Sequence, residues 1–285
     1  MTPAPAGPLA KDRAMERIQA AIQKAKALRG DDDGPPAVRP PARPGRQAPG
    51  PGPGWAELPA FAPDPEQMER RRVVVLGGPV PARSVFEILR TKVVRTMRQN
   101  GWTSLGITSP TDDCGKTMVS LNLAFSLANQ PDLRLVLVDL DLRHPSVGRY
   151  LGVTRPQSMA GVLRGMAPAA ENFLRYGDNL AIGTNAQAIR NSAELLMSPS
   201  TGQGVAAIRA AFNPDIVLYD LPPMLLSDDA MAFLPHLDCV LLVAGAGRTR
   251  LDEVDKCEQD LAEHTNVLGV LLNMCHYTEE GYGYY

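Results

Sequence analysis

Residues 109–117 read SPTDDCGKT and lie between the apolar run SLGIT (104–108) and the helix-favouring stretch KTMVSLNLAFSLA (116–128). A strand, a loop and a helix opening on Gly-Lys-Thr make the setting that a phosphate-binding loop requires. Backbone N–H groups of such a loop, with the positive end of the helix behind them, cradle the α- and β-phosphates of a nucleotide. Asp113, Cys114, Gly115, Lys116, Thr117 and Met118 are the candidate nucleotide contacts. Lys116 reaches the β/γ oxygens of ATP, and the Thr117 hydroxyl is a ligand for Mg²⁺. The loop leaves the generic pattern twice: Pro110 stands at the first glycine, and Asp112 and Asp113 set carboxylates beside the phosphates. Those carboxylates raise the cost of binding ATP unless they face solvent or help to hold Mg²⁺.

Outward from the loop, short apolar runs alternate with amphipathic stretches. RLVLVDL, NLAIG, DIVLYDL, CVLLVAG and VLGVLLN follow SLGIT, with helices expected around 116–129, 192–198, 201–212, 228–234 and 250–264. Continuous Val/Ile/Leu runs separated by helices predict a parallel sheet buried on both faces. The fold class is α/β, a P-loop NTPase-like, mostly parallel sheet flanked by helices on both faces, over residues 70–275. Before the loop, RRVVVLG (71–77) reads as a short strand, and PARSVFEILRTKVVRTMRQN (81–100) as a helix with Val85, Ile88, Leu89 and Val93 inward.

Two further motifs sit at strand ends. VLVDLDLRHP (136–145) places Asp139 and Asp141 two residues apart, so both project on one side. Such a pair suits Mg²⁺-water coordination and acceptance of a hydroxyl proton, or it is a strand end with two ordinary turn carboxylates. Arg143 is either a structural ion pair or a phosphate contact. DIVLYDLPPML (215–225) ends its strand at Asp220, where Pro222 and Pro223 stop the ladder. An aspartate there, beside a phosphate loop, orders the water shell of a metal ion.

The ends of the chain differ in kind. Residues 34–65 hold 11 Pro and 5 Gly, half of that window, and a linker is expected over 34–69. Residues 1–33 include the Ala-rich, basic LAKDRAMERIQAAIQKAKALR (9–29), an amphipathic helix that is either a solvated leader or a docking helix. The region before the domain is expected to be disordered. Four of the seven tyrosines, Tyr277, Tyr282, Tyr284 and Tyr285, fall in the last nine residues, and the tail at 276–285 offers them as phosphoacceptors. A net charge of −2 argues against a nucleic-acid partner bound by a broad basic surface. The four cysteines form no CxxC pair, which suits a reducing, cytosolic compartment. No apolar run reaches membrane-spanning length and no secretory leader is recognisable, so any membrane connection is expected through a partner. Cys114, inside the loop, is either a small residue that fits there or a thiol whose oxidation blocks ATP.

The set SP…CGKT, DLDLRHP and DLPP resembles the phosphate loop, second aspartate motif and metal aspartate of the bacterial tyrosine kinases, autokinases that partner polysaccharide co-polymerases. NSAELLMSP (191–199), VLGVLLNM (267–274) and the tyrosine tail extend the likeness over roughly residues 80–285. The resemblance implies an ATP- and Mg²⁺-dependent protein-tyrosine kinase that phosphorylates its own tail and acts in capsule or exopolysaccharide export. It would be cytoplasmic, peripheral to the inner membrane through a membrane co-polymerase or activator, and self-associating. It implies Asn273 on the adenine side, Thr117, Asp139 and Asp220 about the metal, and Lys116 on the phosphates. Asp139 is the preferred acceptor of the tyrosine proton and Asp141 the second, the other entering the metal shell. At the family's Glu-x-x-Arg-x-x-Arg oligomerisation motif this chain has Ser84, Glu87 and Arg90, so a ring built on that motif is not implied. Two rivals remain. A partition- or septum-positioning switch ATPase carries KGGxGK where this chain has Thr111, Asp112 and Asp113, and a nucleotide-binding scaffold without turnover would tolerate the acidic loop.

Overall fold

Each of the six apolar runs between residues 104 and 273 becomes a strand of one sheet; the first five are buried on both faces, and the last, at the sheet edge, is only partly covered. The computed structural model describes residues 52–77, 80–155 and 157–275. The expected leader helix at 1–33, residues 34–51 and the tail at 276–285 lie outside them. In chain order the strands are β1 (Ser104–Thr108), β2 (Leu135–Asp139), β3 (Phe173–Tyr176), β4 (Leu180–Gly183), β5 (Ile216–Asp220), β6 (Cys239–Gly245) and β7 (Asn266–Asn273). Their order in the sheet is β3-β4-β2-β5-β1-β6-β7. All neighbours are parallel except β3, an edge strand antiparallel to β4 that the sequence pattern did not suggest.

The helices are α1 (Pro65–Arg70), α2 (Val80–Asn100), α3 (Lys116–Ala128), α4 (Val147–Leu151), α5 (Met159–Leu163), α6 (Ser192–Leu196), α7 (Pro199–Phe212), α8 (Asp229–Phe233) and α9 (Leu251–Ala262). Side chains alternate across each strand, which divides the interior into two cores. Val136, Val138, Val217, Tyr219, Val240 and Leu242 meet α5, α7, α8 and α9 on one face. Leu135, Leu137, Leu105, Ile107, Leu218 and Leu241 meet α2, α3 and α4 on the other. Gly106 in β1 has no alternative: an added Cβ would lie 2.6 Å from Leu237 and 2.9 Å from Leu221. Among the described residues no helix is long and apolar enough to cross a membrane.

Three expectations are corrected. RRVVVLG is not a strand: Val74–Leu76 form a 3₁₀ turn. The Asn122 side chain on α3 takes the backbone groups a ladder would use, accepting from Val75 N–H (3.2 Å) and donating to the Arg72 carbonyl (2.9 Å). Of the expected inward residues of α2, Leu89 and Val93 face the core, while Val85 (56%) and Ile88 (45%) are exposed and Phe86, Val94 and Met97 pack inward instead. The linker ends earlier than residue 69. Trp55 and Leu58 are buried, the Trp55 indole donates to the Asp178 carbonyl (2.9 Å), and its ring meets Phe212 edge-on. Phe61 N–H and Arg175 N–H bond across to the Arg175 and Pro59 carbonyls, and Asp64 caps α1. A few apolar anchors in a proline-rich stretch suffice to bind it to the domain.

Asp238 fastens the entry of β6 to that of β1. Its Oδ2 accepts from the backbone N–H of Thr103 (2.7 Å) and Ser104 (2.9 Å) and from both hydroxyls. Burial alone would raise its pKa, but these donors outweigh burial and hold it below the ordinary carboxylate value. A depressed folded-state pKa gives stability that is present above the unfolded-state value near 3.8 and is lost as pH falls through the folded one. Asp238→Asn should therefore cost about 1–3 kcal/mol at neutral pH. In urea melts at several pH values, that gap should close as pH falls below about 4.

Candidate active site

The carboxyl ends of β1, β2 and β5 stand side by side, so three motifs far apart in the chain converge at one edge of the sheet. β1 runs into the loop 109–115, and α3 starts at Lys116. Gly115 precedes that helix in the left-handed region (φ 83°), where a Cβ would come 2.4 Å from the Asn273 amide nitrogen. Asp113 is left-handed too (φ 58°), an uncommon state for a residue with a side chain. The chain thus bends back on itself, and the loop opens onto a cavity of about 330 Å³. Asp112, Asp113, Gly115, Lys116 and Thr117 form one wall, and Asp141, His144, Ser146, Arg149 and Tyr150 the other.

Asp139 and Asp220 are register partners on β2 and β5, and both are fully buried. Asp220 is satisfied by hydroxyls: Thr117 Oγ1 donates to its Oδ2 (2.6 Å) and Ser120 Oγ to its Oδ1 (2.9 Å). Asp139 Oδ2 accepts from the N–H groups of Ser146 and Val147 (both 3.1 Å), while its Oδ1 is buried without a partner. Burial, with Asp220 beside it, pushes Asp139 well above the usual carboxylate range, and burial also raises Asp220. Lys116 Nζ sits 2.7 Å from Asp141 Oδ2. Burial works against its charge, but Asp220, Asp141 and Asp139 prevail and hold its pKa above the ordinary lysine value. One ammonium among three buried carboxylates leaves the site short of positive charge.

That shortage and the orphaned Asp139 Oδ1 fit a divalent cation. Among the described residues no three His, Cys, Asp or Glu side chains converge to hold a metal alone. The donor set therefore suits Mg²⁺ arriving with phosphate oxygens and keeping much of its water.

The remaining candidates are placed as follows. Arg143 forms a fork with Asp229, Nε to Oδ1 (3.1 Å) and Oδ2 (3.0 Å) and Nη2 to Oδ1 (3.0 Å), so it takes the ion-pair role. Asn273 Nδ2 donates to the Cys114 carbonyl (2.8 Å), which ties the end of β7 to the loop and leaves Oδ1 and the second amide N–H for an adenine. Cys114 Sγ is packed among Thr249 Oγ1 (3.3 Å) and the Asp112 carbonyl (3.6 Å) and is 1% exposed, so an oxidant does not reach it in this conformation. Met118 Sδ lies against the Asn122 amide (3.0 Å), facing away from the cavity. Asp141 lines the cavity and Asp139 does not, although both are buried. Tyr277, Tyr282, Tyr284 and Tyr285 lie outside the described residues. Ser120, Ser146, Arg149 and Asp229 were not anticipated; the only local hint is Asp228-Asp229 ahead of a helix.

A family model described as ParA, NUBPL iron-transfer P-loop NTPase, matches residues 103–283. Tyrosine-protein kinase wzc of Salmonella typhi is 28% identical over 226 residues, 77% of this chain and 31% of that protein. Tyrosine-protein kinase YwqD of Bacillus subtilis is 27% identical over 220 residues, 76% of this chain and 92% of that protein. The kinase domain of Escherichia coli tyrosine kinase ETK superposes with a TM-score of 0.65 at 27% identity, covering 80% of this chain and 94% of that domain. The chain spans only 27% and 31% of the length of the first curated relatives it matches.

The Arg143–Asp229 fork has a direct test. Asp229 is fully buried and Arg143 about 40% exposed, so Arg143→Ala should cost about 2–3 kcal/mol, discounted for that exposure. Asp229→Asn in the same chain should return most of the loss in a denaturant double-mutant cycle. A phosphate contact would instead weaken ATP binding and leave stability unchanged.

Proposed function

Given that the chain belongs to the ParA family of P-loop NTPases and, within it, to the bacterial tyrosine kinases, we propose that it transfers the γ-phosphoryl group of ATP to tyrosine, first to its own tail. The observation that carries this reading is the Asn273–Cys114 bond: the strand leading into the tyrosine tail ends on the phosphate loop. From Asn273 to Tyr285 an extended chain spans about 40 Å, enough to reach a neighbour's cavity or its own.

Lys116 leaves Asp141 for the β/γ oxygens as ATP enters, which frees Asp141 Oδ2 on the cavity wall. The tyrosine oxygen attacks the γ-phosphorus, the bond from that phosphorus to the β–γ bridging oxygen breaks, and ADP leaves. The phenolic proton passes to Asp141. Thr117, Asp220 and Asp139 would hold Mg²⁺ and its waters, and that ion supplies neutralising charge. The protein's share is positioning and charge compensation.

Each phosphotyrosine adds about −1.5 to −2 charges, so four add roughly −6 to −8 beside Glu279 and Glu280. Self-repulsion then expels the tail and loosens association between copies, which makes phosphorylation a release switch. A membrane co-polymerase or activator as partner, other protein tyrosines as substrates, a cytoplasmic place at the inner membrane and a role in exopolysaccharide or capsule export belong to the same reading. They rest on the family likeness.

Incubation with Mg²⁺-ATP and site mapping by mass spectrometry tests it. Phosphate is expected on the tail tyrosines, absent after Lys116→Met, and absent from a chain lacking residues 277–285. ATP hydrolysis with no phosphotyrosine, even with an activating membrane partner supplied, would favour a switch ATPase. Nucleotide binding with neither activity would favour a scaffold.

A further inference from the structure

We infer that Arg149 is the specificity-determining residue on the acceptor side of this cavity and that it selects tyrosines flanked by glutamate. The inference rests on the kinase reading above and names what that reading leaves open, the chemistry of the preferred peptide.

The cavity has two unlike walls. The loop wall carries Asp112 and Asp113 and is the place of the phosphates. The opposite wall carries Asp141 and, on α4, Arg149 and Tyr150. Arg149 is exposed, and among the described residues its guanidinium makes no hydrogen bond or ion pair. Lys116 is held by Asp141, and Arg143 by Asp229. Arg149 is therefore the arginine lining this cavity with its charge uncommitted.

Its mount is rigid. The N–H groups of Ser146 and Val147 fasten the start of α4 to Asp139. Gly148 packs beside Thr184, where a Cβ would sit at ordinary contact distance (3.4 Å). At the far end Gln67 Nε2 donates to the Tyr150 carbonyl (3.4 Å), and the Arg71 guanidinium stands 5.7 Å from the centre of the Tyr150 ring. A group that must read a peptide is best carried on a part that does not move.

The chain supplies a matching ligand. In HYTEEGYGYY (276–285), Tyr277 stands two residues before Glu279, and Tyr282 two residues after Glu280. Two extended residues span about 7 Å, so a tyrosine held in the cavity keeps its glutamate close to the cavity's lining. Asp112 and Asp113 repel such a peptide from the phosphate side, so wall and loop together orient it.

The test uses the full chain with Mg²⁺-ATP and two peptides in excess, HYTEEGYGYY and its counterpart carrying Glu279→Lys and Glu280→Lys. Arg149→Glu should lower kcat/KM for the acidic peptide about tenfold and raise it for the lysine peptide, with the KM for ATP unchanged. The wild-type preference for the acidic peptide should fade as ionic strength rises. If Arg149→Glu impairs both peptides equally, or acts through the KM for ATP, Arg149 is not a peptide-reading residue. If the wild-type chain phosphorylates both peptides equally well, the inference falls and the kinase reading stands. If it phosphorylates neither while its own tail is labelled in the same tube, the inference again falls alone. Absence of phosphotyrosine on tail and peptides alike overturns both.

Discussion

Two carboxylates, Asp139 and Asp220, end adjacent parallel strands at the same level, both fully buried. Neighbouring strands are only about 4.8 Å apart, so an apolar sheet must bring compensating groups to that edge or keep a proton there. Much of the site answers to this constraint. The loop delivers Lys116, the first turns of α3 deliver the Thr117 and Ser120 hydroxyls, and the start of α4 delivers two backbone N–H groups. The compensation is incomplete, since Asp139 Oδ1 keeps no partner. A region with more buried carboxylate than positive charge, beside a loop shaped for phosphate, gains most from a cation that arrives with its nucleotide.

The same edge is braced from outside the sheet. Asn273 ties the last strand to the Cys114 carbonyl, and Asn122 ties α3 to the segment before α2. Arg143 locks the loop after β2 onto the buried Asp229. These side chains spend their hydrogen-bonding capacity on holding backbone or one another, which keeps the cavity walls in place without a bound ligand. Rigid walls suit a reaction whose demands are chiefly positional. The stretch from Trp55 to Arg72 extends the bracing, running from Phe212 and Asp178 to the back of α4.

Local pattern carried the fold and half of the site. Strands β1, β2, β4, β5, β6 and β7 are continuous apolar runs, and Lys116, Thr117 and Asp220 belong to motifs read within a few residues. β3 was illegible because FLRY is short, mixed in character and an edge strand, given its register only by β4. On α2, Leu89 and Val93 face inward as their spacing suggests, but Val85 and Ile88 do not, since Phe86 and Val85 are equally apolar and only packing distinguishes them. Trp55 and Leu58 were hidden in a composition that denotes a linker. The side chains of Ser120, Ser146 and Asp229 reach site partners 100, 29 and 86 residues away, distances over which a single sequence holds no signal. The difference between Asp139 and Asp141 is likewise tertiary: spacing puts both at a strand end, and only the packed structure sets Asp141, and not Asp139, on the cavity wall.

The account turns on a site too rich in buried carboxylate to take ATP without a cation. Calorimetric titration of ATP with Mg²⁺ and then with EDTA measures this directly. The expected result is an affinity about tenfold or more higher with Mg²⁺, a gap that narrows in Asp139→Asn, where one of the buried charges is gone. Equal affinity with and without the cation, in the unaltered chain, would contradict the account.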